Sequence, residues 1–91
     1  MITRRLLVSG RVQGVFYRAW TEATARRLGL RGWVRNLRSG DVEVLATGSP
    51  EAVDRLVRLC RDGPPAASVQ DIEVSEAEPE PGEGFHVRPT A

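Results

Sequence analysis

Apolar side chains recur along this chain at two spacings, every second residue and every third or fourth, and the switches between them outline its elements. Residues 4–9, Arg-Arg-Leu-Leu-Val-Ser, predict a strand. Residues 10–16, with Gly10 and Gly14, predict a connection. From about Tyr17 to Leu28 the spacing is helical: Tyr17, Thr21, Thr24 or Ala25, and Leu28 share a stripe, with Trp20 at its margin. The small members of the stripe would let this helix approach a sheet closely. Gly29 follows at a position that suits positive φ after a helix end. Residues 31–37 predict a second strand, Ser39-Gly40 a turn, and Val42 to Ala46 the return of a hairpin. Ser49 and Pro50 supply the cap and first residue of a second helix. Its apolar face is Val53, Leu56, Val57 and Cys60, and Glu51/Arg55 and Asp54/Arg58 are spaced i,i+4 on its wet side. Gly63-Pro64-Pro65 stops it. Val69 to Val74 predicts a fourth strand and residues 75–84 an acidic surface loop. Phe85 and Val87, alternating with His86 and Arg88, predict a short last strand.

The order β-α-β-β-α-β plus a closing strand predicts an α+β fold, the ferredoxin-like sandwich, with two helices on one face of a mixed antiparallel sheet. With 91 residues and no repeat, a single domain over residues 1–91 is expected. A domain of this size buries only about 60–65% of its unfolded surface, which argues against long insertions. No apolar run approaches the ~18 residues of a membrane span. The N-terminus lacks the pattern of a signal peptide, so the expected location is the cytoplasm.

Composition narrows the chemistry. One cysteine, Cys60, and one histidine, His86, allow no internal disulfide and no structural zinc site. All thirteen basic residues are Arg. The lack of Lys excludes Schiff-base chemistry and a Walker-type phosphate loop, and a GC-rich genome accounts for it simply. Net charge is +1, unevenly spread. Residues 1–45 carry nine Arg and three acids, and residues 46–91 carry four Arg and nine acids. The first half is therefore the place to seek an anion site, although solvated faces of opposite sign explain the asymmetry equally well.

Residues 10–18 carry the most information. A glycine-bearing loop runs from a strand end into a helix N-terminus, where unpaired N–H groups and the helix dipole favour an anion. Gly14 suits the left-handed backbone of an anion nest. Arg18 adds a forked, permanently charged donor to the first helical turn. Many ordinary strand–helix joins also carry a glycine, so both readings stand on these residues alone. A cysteine phosphatase would need its thiolate inside the loop that ends in Arg, and Cys60 instead sits on an apolar helix face. Ser/His/Asp catalysis would have to use His86, which has no supporting motif. Asp71, Glu73, Glu76, Glu78, Glu80 and Glu83 are scattered through a strand and a loop and make no clear metal-ligand set. What remains is an electrostatic site without a protein nucleophile. It suits a substrate with a good leaving group, such as an acyl phosphate, whose carboxylate departs without an acid.

Gly10-Arg11-Val12-Gln13-Gly14-Val15-Phe16-Tyr17-Arg18 closely resembles the first signature of the acylphosphatases, and Gly29-Leu30-Arg31-Gly32-Trp33-Val34-Arg35-Asn36 resembles their second. Their separation, Gly40 with Val42-Glu43, and Gly48 also match, so the resemblance covers nearly the whole chain. It implies metal-independent hydrolysis of acyl phosphates to a carboxylate and inorganic phosphate, without a cofactor. By position it implies that Arg18 binds the phosphate and Asn36 orients the water. It also implies that the backbone N–H groups of Gln13, Gly14, Val15, Phe16 and Tyr17 form the phosphate cradle. Trp33 is expected to pack and fix its strand. Three positions depart from the commonest pattern: Tyr17 for Phe, Ser39-Gly40 for Asp-Gly, and the tail Pro89-Thr90-Ala91 for an aromatic ending. The tail is expected to loosen the final strand edge.

Three alternatives remain. A non-catalytic module could hold an anion or small molecule in the same cradle. An RNA-binding sheet would need exposed strand aromatics beside a basic patch, and none of the strands shows that motif. A relative of the acylphosphatase-like modules of carbamoyl-transfer proteins is disfavoured by the lack of a fused domain. Neither a nucleic-acid nor a membrane partner is expected, and a monomer is. Acetyl phosphate, carbamoyl phosphate and 1,3-bisphosphoglycerate present the same reacting group.

Overall fold

Alternation along the strands sorts side chains onto the two faces of one sheet, and the helices cover one of them. The computed structural model describes residues 1–91. Its elements are β1 (Ile2–Arg11), α1 (Tyr17–Arg27), β2 (Arg31–Asn36), β3 (Val42–Gly48), α2 (Pro50–Asp62), β4 (Ser68–Glu76) and β5 (Phe85–Val87). The strand order is β4-β1-β3-β2-β5. β1 runs antiparallel to β3 and β4, β2 antiparallel to β3, and β5 parallel to β2. This is the expected ferredoxin-like arrangement.

The strands are longer than alternation alone predicts, because pairing recruits residues that carry no strand signal of their own. Gly10 and Arg11, expected in the connection, extend β1 by pairing with Val69 and Ser68 across a register shift between Ser9 and Gly10. Gly10 has φ 118°, and a Cβ there would lie 2.4 Å from the Ser68 carbonyl oxygen. This bulge therefore admits only glycine, and it bends the strand just before the loop that enters α1. Ser75 and Glu76, expected in the acidic loop, likewise belong to β4, opposite Arg5 and Arg4.

On the helix side, Leu6, Val8, Val34, Val42, Val44 and Ile72 meet Tyr17, Ala25, Val53, Leu56 and Cys60. Tyr17 is buried, and its hydroxyl donates to the Cys60 carbonyl at 2.6 Å, riveting the start of α1 to the end of α2. Burial raises the Tyr17 phenol far above its ordinary range and pushes the Cys60 thiol up to about 12. Cys60 is thus the inert core residue expected. Ser49 caps α2 by accepting from the Ala52 N–H at 3.2 Å. The Glu51/Arg55 and Asp54/Arg58 pairs, all four residues exposed, form no ion pair.

The other sheet face carries a polar lattice. Thr3 and Thr47 hydroxyls bond at 2.8 Å. The buried Glu43 carboxylate accepts from Arg5 on one side and from Arg35, at 2.6 Å, on the other. Arg35 and Arg88 stack on Trp33 at 4.6 and 4.9 Å, and Glu80 from the acidic loop holds Arg88 at 3.0 Å. The Trp33 indole N–H, ahead of Arg88, draws the Glu80 carboxyl below its ordinary range, although it falls short of hydrogen-bond geometry. Burial alone would raise the Glu43 carboxyl. The Arg35 and Arg5 guanidiniums outweigh burial and hold it below its ordinary range.

Glu43 consequently contributes its full stability above the ordinary glutamate pKa and loses it as pH falls below that range. Glu43→Gln is expected to cost about 1–3 kcal/mol at neutral pH, read from urea denaturation. It should also flatten the loss of stability between neutral pH and pH ~3 relative to the wild type.

Candidate active site

A helix starts with N–H groups that have no acceptor in the preceding turn. Ser49 and the first-turn acid Glu51 answer that need in α2. α1 has neither a capping side chain nor an acid in its first turn. No backbone N–H from Gln13 through Ala19 finds an acceptor within the chain. The loop that presents them is bent twice into left-handed backbone, at Gly14 (φ 72°) and at Phe16 (φ 64°), with Val15 between them at negative φ. Such alternation turns successive N–H groups toward one concavity, a nest for an anion. The Gly14 Cβ position is open space, so glycine serves backbone freedom there and not clearance.

The nest opens into a cleft of about 380 Å³ bordered by Val12, Gly14, Phe16, Tyr17, Arg18, Ala19, Asn36 and Val87. Arg18 comes from the first turn of α1 and makes no ion pair with any acid of the chain. Asn36 is the last residue of β2 and shares the helix-facing side of the sheet with Val34 and Gly32. The two residues singled out in the sequence therefore border one cleft. Among the other cradle residues, Gly14, Phe16 and Tyr17 border it, whereas Gln13 and Val15 do not. The Val15 side chain is buried in the core. His86 lies away from the cleft, on the opposite sheet face beside Trp33, with its ring Nε2 2.7 Å from the Glu83 carbonyl oxygen. No group of three or more His, Cys, Asp or Glu is placed to hold a metal ion.

The chain end is tied down, contrary to the loosening expected of Pro89-Thr90-Ala91. The Ala91 N–H donates to the Asn36 carbonyl at 3.0 Å, and the Arg38 N–H donates to the Ala91 carbonyl at 2.9 Å. With the Arg88 N–H bonded to the Val34 carbonyl at 2.9 Å, these bonds continue the parallel pairing past β5 and brace the backbone that carries Asn36. Backbone pairing needs no particular side chain, so the missing aromatic does not release the edge.

The acylphosphatase family model matches residues 4–87. The chain is 51% identical to an acylphosphatase of Acidiphilium cryptum, over 99% of each chain. It is 55% identical to one of Haloquadratum walsbyi, over 91% of this chain and 89% of that one. The crystal structure of an acylphosphatase from Bacillus subtilis superposes with a TM-score of 0.91 at 37% identity, covering 97% of this chain and 99% of that one.

One contributor to the site was invisible in the sequence. The Gln13 side-chain amide donates to the carbonyls of Leu37 (2.7 Å) and Asp41 (2.8 Å). It thereby ties the nest loop to the turn that follows Asn36 and fixes the distance between the two halves of the cleft. A glutamine in a loop carries no sequence signal for such a role, because both acceptors are main-chain groups. Gln13→Glu keeps the shape, removes both donors and sets a carboxylate against two carbonyls. It is expected to lower stability by about 1–3 kcal/mol, seen as an earlier urea midpoint. An unchanged midpoint would mean that Gln13 does not bridge the two segments in solution.

Proposed function

The chain belongs to the acylphosphatase family and hydrolyses acyl phosphates to a carboxylate and inorganic phosphate, and from that premise we propose that Arg18 and the open nest bind the phosphoryl group while Asn36 orients the attacking water. The observation that carries this division of labour is the run of N–H groups from Gln13 through Ala19 with no acceptor, beside an Arg that no acid of the chain neutralises. Together they offer positive potential without any negative counterpart, which suits the dianionic phosphoryl group.

The reaction follows from that setting. The N–H groups and Arg18 hold the non-bridging phosphoryl oxygens and stabilise the charge spread over them in the transition state. Water adds through its oxygen to phosphorus, the bond from phosphorus to the acyl oxygen breaks, and the carboxylate departs with that electron pair. The proton of the water passes to a phosphoryl oxygen, since the cleft is bordered by no carboxylate or histidine. The Asn36 amide offers both a donor and an acceptor, so it can fix a water's orientation without adding charge. The reading needs no metal and no cofactor. All its groups lie between residues 12 and 36 and at 87 of one chain, which supports a monomer as the working unit. No helix is long and apolar enough to cross a membrane.

Two variants assayed in EDTA with acetyl phosphate test the assignment, and the wild type should keep its activity under chelation. Arg18→Gln should raise KM and lower kcat together and weaken competitive inhibition by inorganic phosphate, each by on the order of tenfold or more. Unchanged phosphate inhibition in a folded variant would remove Arg18 from the phosphate site. Asn36→Ala should lower kcat by on the order of 10²-fold while moving the phosphate inhibition constant less than about threefold. Loss of phosphate binding in Asn36→Ala would instead make Asn36 part of the cradle, and a near-normal kcat would make it a strand residue only.

A further inference from the structure

Phe16 is the one aromatic side chain that the fold leaves outside its interior. Of two Trp, one Tyr and two Phe, Tyr17, Trp33 and Phe85 are buried and Trp20 packs half-buried on the core, whereas Phe16 is 83% exposed. It is also the only non-glycine residue with positive φ. The nest explains that backbone, but Gly or Asn would adopt it with less strain, and a bulky residue there costs about 1–3 kcal/mol. The nest therefore does not explain the ring. A second exposed apolar side chain, Val87 at 40%, borders the same cleft from β5. Of the four large apolar residues left exposed in the whole molecule, Met1, Phe16, Val74 and Val87, two thus stand at the mouth of one cleft, together with Arg18 and Asn36.

The cleft has two chemistries in two places. The N–H groups and Arg18 take the phosphoryl group; Phe16 and Val87, the exposed apolar side chains at the mouth, are left over, and no acid borders the cleft. With the phosphoryl group on the N–H groups, the acyl body must project outward, because the nest is closed behind by the buried Val12 and Val15. We propose that Phe16 and Val87 form an acyl subsite that selects acyl phosphates with an aromatic or branched aliphatic acyl group. Acetyl and carbamoyl phosphate are too small to cover the ring, and an acyl group bearing a second charge would be stripped of water against an apolar rim. The proposal rests on the assignment of the phosphoryl group to Arg18 and the nest.

The test is the ratio of kcat/KM for benzoyl phosphate to that for acetyl phosphate, measured in the wild type, Val87→Ser and Phe16→Asn. Asn tolerates the left-handed backbone that position 16 requires. Comparing ratios between proteins cancels the intrinsic reactivity of the two substrates and any loss common to both. The wild-type ratio should be on the order of tenfold or more, carried mainly in KM, and each variant should lower it by about three- to tenfold. Inorganic phosphate inhibition, followed alongside, reports the nest. If Phe16→Asn disturbs it, Val87→Ser, whose backbone is no part of the nest, decides the matter. An unchanged ratio in Val87→Ser, or a wild type without preference for benzoyl phosphate, overturns the subsite. A failed phosphate assignment would show itself differently, as phosphate inhibition that survives Arg18→Gln.

Discussion

Backbone N–H groups from Gln13 through Ala19 that have no acceptor in the chain set the terms for the rest of this structure. A donor removed from water without a partner costs about 1–3 kcal/mol, so such a run has to stay at the surface, facing water or an anion. It also has to keep its curvature, since a nest that flattens no longer converges on one point. Three attachments hold it from three sides. The Gly10 bulge aims the incoming strand, Gln13 fastens the loop to the turn after β2, and Tyr17 locks the helix start onto the end of α2. The surrounding core is thus arranged so that a polar, unsatisfied piece of backbone stays rigid in the open.

The two helices make the contrast plain. α2 begins with a capping serine, a proline and an acid, the combination that stabilises a helix start by internal means. α1 begins with a left-handed phenylalanine, no cap and an arginine at its second position. Taken as a helix start, α1 is the poorer of the two. A local rule broken without compensation within the chain is expected where a ligand supplies the compensation.

The elements and both candidate residues were legible because their signals are local. The helical stripe from Tyr17, the Ser49-Pro50 start and the alternation of β2 each lie within one segment, and two motifs of the right separation pointed to Arg18 and Asn36. Legibility stopped where the partner is distant in sequence or is main chain. The Gly10 bulge exists only against Ser68, the Gln13 bridge ends on two carbonyls, and the Ala91 bonds are independent of side-chain identity. The excess of Arg in the first half mixes residues of different use. Arg5 and Arg35 hold Glu43 on the far face of the sheet, and Arg26 holds Glu22 and the Phe85 carbonyl. Those guanidiniums serve the scaffold, and composition could not separate them from Arg18.

The strand order carries a further meaning for how the molecule comes into being. β1 lies inside the sheet, between β3 and β4, and Ser9 pairs with Asp71, 62 positions away. Closing so long a loop is entropically slow, which sets topologies of this kind apart from helical bundles of equal length that assemble through neighbours. During synthesis β1 leaves the ribosome first and can pair with β3, but its other edge stays bare until residues near 70 have been made. For that interval Leu6, Leu7 and Val8 form an apolar strand edge open to any extended segment nearby, including the same strand of another nascent chain. The strand that leads into the nest is thus also a strand open to mispairing while the protein is being born.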